Sequence, residues 1–285
     1  MLRAPFGPPN IYATFFRTRL MMRTPRKLAA TLIRRTSPRL WHVLVYKRFV
    51  RSPHAEREID IIDRFIDRDR AALDIGVDLG IYTRHFAKFS RSVIAFEANP
   101  DIATAAARFL KHSATIHCVA LSSTNGVGQL RIPLHAGKLQ TPFGTVSAAN
   151  SLGNAAFSTI EVPLRQLDDF ALPSVGFIKI DVEGHEEDVL LGAQSLIARD
   201  RPSLMIEVEE RHNSGSIERV THFFQSRGYR GFFFDGSALR SIEIFDLNVH
   251  QSPGREPYIN NFFFCPAEFD IRSTGIPVAQ SQIAG

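Results

Sequence analysis

The stretch Leu73-Asp74-Ile75-Gly76-Val77-Asp78-Leu79-Gly80-Ile81-Tyr82-Thr83 joins an apolar run ending in an acid to two glycines, just ahead of a helical pattern. Glycines at such a junction let the backbone turn tightly and approach a ligand, and the new helix presents free N–H groups to an anionic group. Asp74 is expected to accept from a ligand ammonium, directly or through water. Alone the motif is weak, because such glycines also serve chain geometry only. The next apolar run, Ser92 to Glu97, ends in a second acid 23 positions after Asp74. A carboxylate there can accept both hydroxyls of a ribose. Asn99-Pro100 reads as a helix cap and first helical position.

The glycine pattern lacks the third glycine of a dinucleotide fingerprint, so a nicotinamide cofactor fits less well than S-adenosyl-L-methionine. The sulfonium of that molecule would suit aromatic and acidic neighbours such as Tyr82 and Asp78. The expected cofactor residues are therefore Asp74, Gly76, Asp78, Gly80, Tyr82 and Glu97.

A second acidic constellation follows the run Gly176 to Asp181: Asp181, Glu183 and His185, then Glu207, Glu209 and His212 further on. Methyl transfer from a sulfonium is an in-line displacement, which demands alignment of the acceptor and a group to take its proton. Asp181, Glu183 and His185 are the expected catalytic residues. Glu186, Glu187 and Asp188 sit in the first turn of a helix, where the macrodipole favours them without any chemistry. Lys179 shares a strand face with Asp181 and is expected to pair with a carboxylate such as Glu207. Asp181, Glu183 and Glu207 could meet on a divalent cation, but no dense ligand motif is present and no metal is expected.

These residues need a frame that brings them together. Apolar strands are predicted near 71–75, 92–97, 115–120, 175–181, 203–208, 229–235 and 258–265. Helices are predicted near 81–89, 100–111, 185–198 and 215–227, and Ile59, Ile62 and Ile66 mark one more. The alternation predicts a doubly wound α/β sheet with its ligand site at the carboxyl ends of the strands. Residues 134–156, rich in Gly, Ser, Ala and Asn, break the alternation and are expected to form a lid or substrate loop.

Charge is uneven. Residues 1–55 hold 12 of the 34 Lys and Arg and none of the 29 Asp and Glu. The basic character belongs to an N-terminal arm, expected as two short basic helices around Leu28, Leu32 and Arg35, then Trp41, Val45 and Phe49, with the first ten residues disordered. That arm could simply pack on the domain, or touch an anionic membrane surface or nucleic acid. Its composition also resembles an organellar transit peptide. No apolar run reaches the ~20 residues of a membrane span, and two cysteines are too few for a disulfide framework. A cytoplasmic protein, peripheral to a membrane at most, is the expectation.

Taken in order, the motif D-x-G-x-x-x-G at Asp74, the acid and Asn-Pro at Glu97 and Asn99-Pro100, Lys179-Ile180-Asp181-Val182-Glu183-Gly184-His185-Glu186, Leu191-Gly192-Ala193 and Arg201-Pro202 resemble the FkbM family of methyltransferases. Asp168-Asp169 and Asn260-Asn261-Phe262 extend the resemblance over roughly 55–266. It implies a Rossmann-like class I methyltransferase fold with a seven-stranded sheet, S-adenosyl-L-methionine as cofactor, and transfer to hydroxyls of sugars, lipopolysaccharide or polyketides. Here Val77-Asp78 stand where the family usually has Ala-Asn, and Ala98 where it has Pro. Three regions follow: an arm over 1–54, a catalytic domain over 55–270 and a disordered tail over 271–285. Two other readings are an RNA methyltransferase that uses the arm and a non-catalytic binding protein. The first is disfavoured because Asp181-Val182-Glu183-Gly184 stands where a base-amine methylase would carry Asn-Pro-Pro-Tyr.

Overall fold

The computed structural model describes residues 32–33, 35–52, 56–135, 138–152, 155–252, 254 and 257–279. The first ten residues, and the part of the first arm helix around Leu28, lie outside them.

Five parallel strands carry the fold: β1 (Ala71–Ile75), β2 (Ser92–Glu97), β3 (Thr115–Cys118), β8 (Val175–Ile180) and β9 (Ser203–Glu207). β10 (Tyr229–Phe234), β11 (Leu239–Ser241) and β12 (Asn261–Pro266) complete the sheet in the order β11-β10-β12-β9-β8-β1-β2-β3, with β12 antiparallel to both β9 and β10. The main strands fall within a few residues of the predicted runs. The sheet has eight strands rather than seven, because the short β11 adds an edge after β10.

Central strands covered on both faces read as unbroken apolar runs. β1, β8 and β12 are buried along their whole length, and Phe177, Phe262, Phe263 and Phe264 are fully buried. The helices on the sheet are α2 (Ile81–Phe86), α3 (Pro100–Phe109), α4 (Glu186–Leu191), α5 (Gln194–Asp200) and α6 (Ser216–Gln225), with a short α7 (Leu247–His250) before β12. Asn99 caps α3 by accepting from the Asp101 N–H, and Pro100 takes the first helical position, as its residue types require. The single helix expected over 185–198 is two, α4 and α5, broken at Gly192-Ala193. A Cβ on Gly192 would lie 2.1 Å from the Ser122 carbonyl oxygen.

Three expectations are corrected. The Ile59, Ile62, Ile66 pattern forms two 3-10 turns, Arg57–Asp60 and Ile62–Phe65, whose isoleucines are nonetheless buried. The segment after Asp270, expected to fray, is docked through residue 279: Ile271 and Ile276 are buried and Val278 bridges Leu239. The stretch 134–156 is not one loose loop. β5 (Gly126–His135) and β7 (Phe157–Arg165) form a long antiparallel arm, joined by β4 (Ala120–Leu121) and β6 (Lys138–Leu139) into a second sheet ordered β4-β7-β5-β6. Among the described residues of the stretch, Thr145 pairs with Arg131 of β5.

Of the arm, α1 (Pro38–Val50) packs on the domain through His42, Tyr46 and Phe49. It lies over α2 and α3, where the His42 ring stacks on Phe109 at 5.6 Å. No helix among the described residues is long and apolar enough to cross a membrane.

Candidate active site

In a doubly wound sheet, ligands bind where the strand order reverses. Here the reversal falls between β1 and β8, whose ends are joined by the Asp181 N–H donating to the Ile75 carbonyl at 2.9 Å. Gly76 follows at φ +88°, and a Cβ there would lie 1.8 Å from the Asp181 carbonyl oxygen. Only glycine permits this approach, so the motif's first glycine exists to bring the loop against the end of β8.

Glu97, at the end of β2, is buried beneath the same loop. Its Oε2 accepts from the N–H groups of Val77 (3.0 Å) and Asp78 (3.3 Å), and its Oε1 from Asn99 (2.8 Å). Burial raises its pKa, and the three backbone donors partly offset that rise. Glu97 therefore shapes the glycine loop, a role the sequence does not reveal, while Oε1 keeps acceptor capacity for one further donor.

Asp74 is fully buried, and Thr83 of α2 donates to its Oδ2. Its other oxygen has no partner among the described residues. Burial pushes its pKa up to about 6, against the pull of the nearby Lys179. Asp74 thus ties β1 to α2. Asp78, at φ +45°, is pushed up to about 7 by burial and by the carboxylates of Glu97 and Asp181. Tyr82 donates to Glu56 at 2.5 Å, and the cation over its ring is Lys179, 4.9 Å from the centroid. Lys179 in turn donates to Asp181 at 2.9 Å, so the expected ion pair forms with Asp181 instead of Glu207.

Phe49 of α1 joins Gly76, Asp78, Tyr82, Lys179 and Asp181 around a pocket with about 20 Å³ of free space, the room of one water. A larger groove, about 300 Å³, lies between α4 and α6, and none of the strand-end residues lines it.

Beyond β8 the chain turns through Glu183 (φ +55°) and Gly184 (φ +93°). A non-glycine residue held in that region is uncommon and marks an over-determined turn. Buried Glu186 is the determinant: its Oε1 accepts from the N–H groups of Val182 (3.3 Å) and Gly184 (2.9 Å). The macrodipole account of Glu186 misses this brace. Glu183 faces His212, with 3.4 Å between Oε2 and Nε2, and burial, then Asp181 and Glu209, raises its pKa well above the carboxylate range. Glu207 is raised by the same causes and accepts from Asn260 at 2.7 Å. Buried Glu209 goes the other way, because the paired Arg211 guanidinium overcomes the cost of burial.

His185 is set apart from this cluster. Its Nε2 lies 3.0 Å from Ser122 Oγ and its Nδ1 3.3 Å from Asp188, on the flank between β4 and α4. Asn150, which the sequence did not single out, lies beside the turn after β8: buried, it donates to the Glu183 carbonyl at 2.8 Å, while Arg131 donates to the carbonyls of Ser147 and Asn150. The alternating Leu130, Ile132, Leu134 and Ile160, Val162, Leu164 were the signal for the strands that carry this segment. Among the described residues, no group of three or more His, Cys, Asp or Glu is placed to hold a metal ion.

Residues 74–230 match the family described as Methyltransferase FkbM domain. No curated protein sequence matches the chain. Among solved structures, the FkbM methyltransferase of Methylobacillus flagellatus KT superposes with a TM-score of 0.46 at 17% identity, covering 69% of this chain and 43% of that one. This chain thus spans less than half of that protein. A TehB-like SAM-dependent methyltransferase from Corynebacterium glutamicum gives 0.40 at 11% identity, covering 78% and 93% of the two chains. An rRNA methylase from Streptococcus thermophilus gives 0.40 at 10%, covering 73% and 92%. At these values the architecture rests on the strand order itself. The family match spans more than half of the sequence and includes both the Gly76 loop and the Asp181 turn: the chain belongs to the FkbM methyltransferase domain family.

Proposed function

We propose that the chain is an S-adenosylmethionine-dependent O-methyltransferase acting on a hydroxyl of a sugar, glycolipid or similar small molecule. The observation that carries this reading is the contact of the Gly76 loop with the end of β8, with Glu97 beneath it and Asp181 and Glu183 beyond it. The donor set fits the cofactor chemically: Glu97 has acceptor capacity for a ribose hydroxyl, and the loop from Gly76 to Gly80 allows close backbone approach. The free space beside Phe49 holds about one water, so the pocket has to widen to admit the whole cofactor, and a shift of α1 with Phe49 would widen it.

When bound, the cofactor supplies an electrophilic methyl on a cationic sulfur. The chain's own residues must orient the acceptor and take its proton. A polyhydroxylated acceptor is a set of donors, and Asp181, Glu183 and Glu207 offer carboxylate acceptors in and beside the turn after β8. Glu183 is the proton acceptor in this reading, since its raised pKa makes its carboxylate the stronger base and His212 stands ready behind it. Lys179 holds Asp181 in place and balances its charge. His185 has no role in proton transfer here, because its ring faces Ser122 and Asp188.

Calorimetric titration of S-adenosylmethionine into the wild type and Glu97→Ala is the direct test. Binding near micromolar, about −8 kcal/mol, that the substitution abolishes supports the assignment and opens an acceptor screen beginning with glycans. No binding to a folded wild type overturns it in favour of a non-catalytic binding protein.

A further inference from the structure

α1 is apolar on two sides. Its inner side, His42, Tyr46 and Phe49, is buried on the domain. On the outer side Leu40 and Leu44 are 48% and 45% exposed, and Leu32, in the helical residues just before, is 62% exposed. Around them Arg35, Arg39, Lys47 and Arg51 are also exposed. Positions 40, 44, 47 and 51 follow i, i+4, i+7, i+11 spacing, so Leu40, Leu44, Lys47 and Arg51 share one outward stripe. No Asp or Glu occurs in residues 1–55 to neutralise it.

We infer that this outer face of α1 docks on an anionic lipid bilayer. The leucines enter the headgroup boundary, and the arginines and lysine meet lipid phosphates. An interfacial helix sets large aliphatic residues into the headgroup boundary with Lys and Arg beside them to meet anionic headgroups. Each basic residue near such a surface contributes about fivefold in affinity, ~1 kcal/mol. Nucleic acid is the poorer occupant, since exposed leucines at the centre of the stripe have nothing to offer a phosphate backbone, and base stacking calls for aromatic rings. Lys47 and Arg51 also lie on the side of α1 away from Phe49. A second copy of the chain is poorer still, because a two-fold contact would set this all-cationic face against itself. With α1 on a bilayer, the pocket that Phe49 lines sits about one helix diameter, ~10 Å, from the lipid.

The experiment is sedimentation of the full chain with vesicles of phosphatidylcholine alone and of phosphatidylcholine doped with phosphatidylglycerol, with and without added salt. Expected are binding to the anionic vesicles only, weakening in salt, and at least about tenfold weaker binding for Leu40→Glu/Leu44→Glu and for Lys47→Glu/Arg51→Glu. Leu40→Ser/Leu44→Ser is the milder companion, and unchanged thermal melting shows that each variant folds. Absence of binding, equal binding to neutral vesicles, or binding that the substitutions leave unchanged overturns the inference. So does a dimer that the leucine substitutions dissociate, or a preference for single-stranded RNA over the anionic vesicles.

Discussion

His42 of α1 places its Nε2 2.6 Å from the carbonyl oxygen of Leu79 in the cofactor loop, while Arg84 Nε donates to its Nδ1 at 2.6 Å. A guanidinium can only donate, so Nδ1 accepts and Nε2 carries the proton given to Leu79. The ring is therefore neutral when docked. One turn further on, Lys88 donates to the Tyr46 hydroxyl, whose oxygen lies 2.8 Å from His85 Nδ1. Two neutral histidines hold the arm against the glycine loop and α2.

Acid should release α1. Burial, with Arg84 beside it, lowers His42 to about 4 despite the Leu79 carbonyl; burial and Lys88 lower His85 to about 4 against the pull of Asp63. Once released, each returns towards 6.5, so the docked state binds fewer protons and its stabilisation, intact above pH ~6.5, is lost as pH falls towards 4. Trp41 is the only tryptophan and lies on α1. Its fluorescence, titrated downward from pH 8, should shift with a midpoint in that window. A flat titration would show that α1 is held some other way.

Cofactor binding should move the same helix. With about 20 Å³ of space beside Phe49, displacing that ring would make room for S-adenosylmethionine, so stopped-flow mixing should change Trp41 emission. Phe49→Ala should speed association about tenfold, ~1.4 kcal/mol off the opening step. Equal rates in the two proteins would mean that the pocket widens elsewhere.

Gly76→Ala should be among the most damaging substitutions. The added methyl meets the Asp181 carbonyl at 1.8 Å on a backbone already at φ +88°. A loss of about 4 kcal/mol or more in denaturant unfolding is expected, from backbone strain and overpacking together. A cost below about 1 kcal/mol would show that the two strand ends are not held so closely.

Asn150→Ala should act on the acceptor and not on the cofactor. It removes the donor to the part-buried Glu183 carbonyl, costing about 1 kcal/mol. The acceptor KM should rise while calorimetric affinity for S-adenosylmethionine stays at the wild-type value. An effect on the cofactor alone would remove the β5–β7 arm from the acceptor site.

The acid limb of kcat/KM should report Glu183. Its proton must leave before it can act, and burial, Asp181 and Glu209 all hold that proton on, so the limb should lie above the usual carboxylate value of about 4.3. Asp181→Asn removes one like charge and should move the limb to lower pH, whatever it does to the maximal rate. Glu183→Gln should abolish the limb. A limb that persists in Glu183→Gln would assign the titration to another group.

The sequence alone determined the central frame. Apolar runs at 71–75, 92–97, 175–180 and 203–207, each ending in or followed by an acid or a glycine, are local patterns of burial and turn chemistry, and such patterns survive reading one residue at a time. The places of Gly76, Glu97 and Asp181 at strand ends followed from them. Tertiary structure decided what each of those residues touches. Glu97 spends its oxygens on the loop, Lys179 chooses Asp181, Tyr82 meets Lys179, and His185 faces Ser122, because partners far apart in sequence are set by strand order and register. The helix around Trp41, Val45 and Phe49 was legible, but its docking on the Leu79 loop was not, and the β5–β7 pair, signalled only by its alternating apolar residues, brings Asn150 to the turn after β8 through contacts distant in sequence.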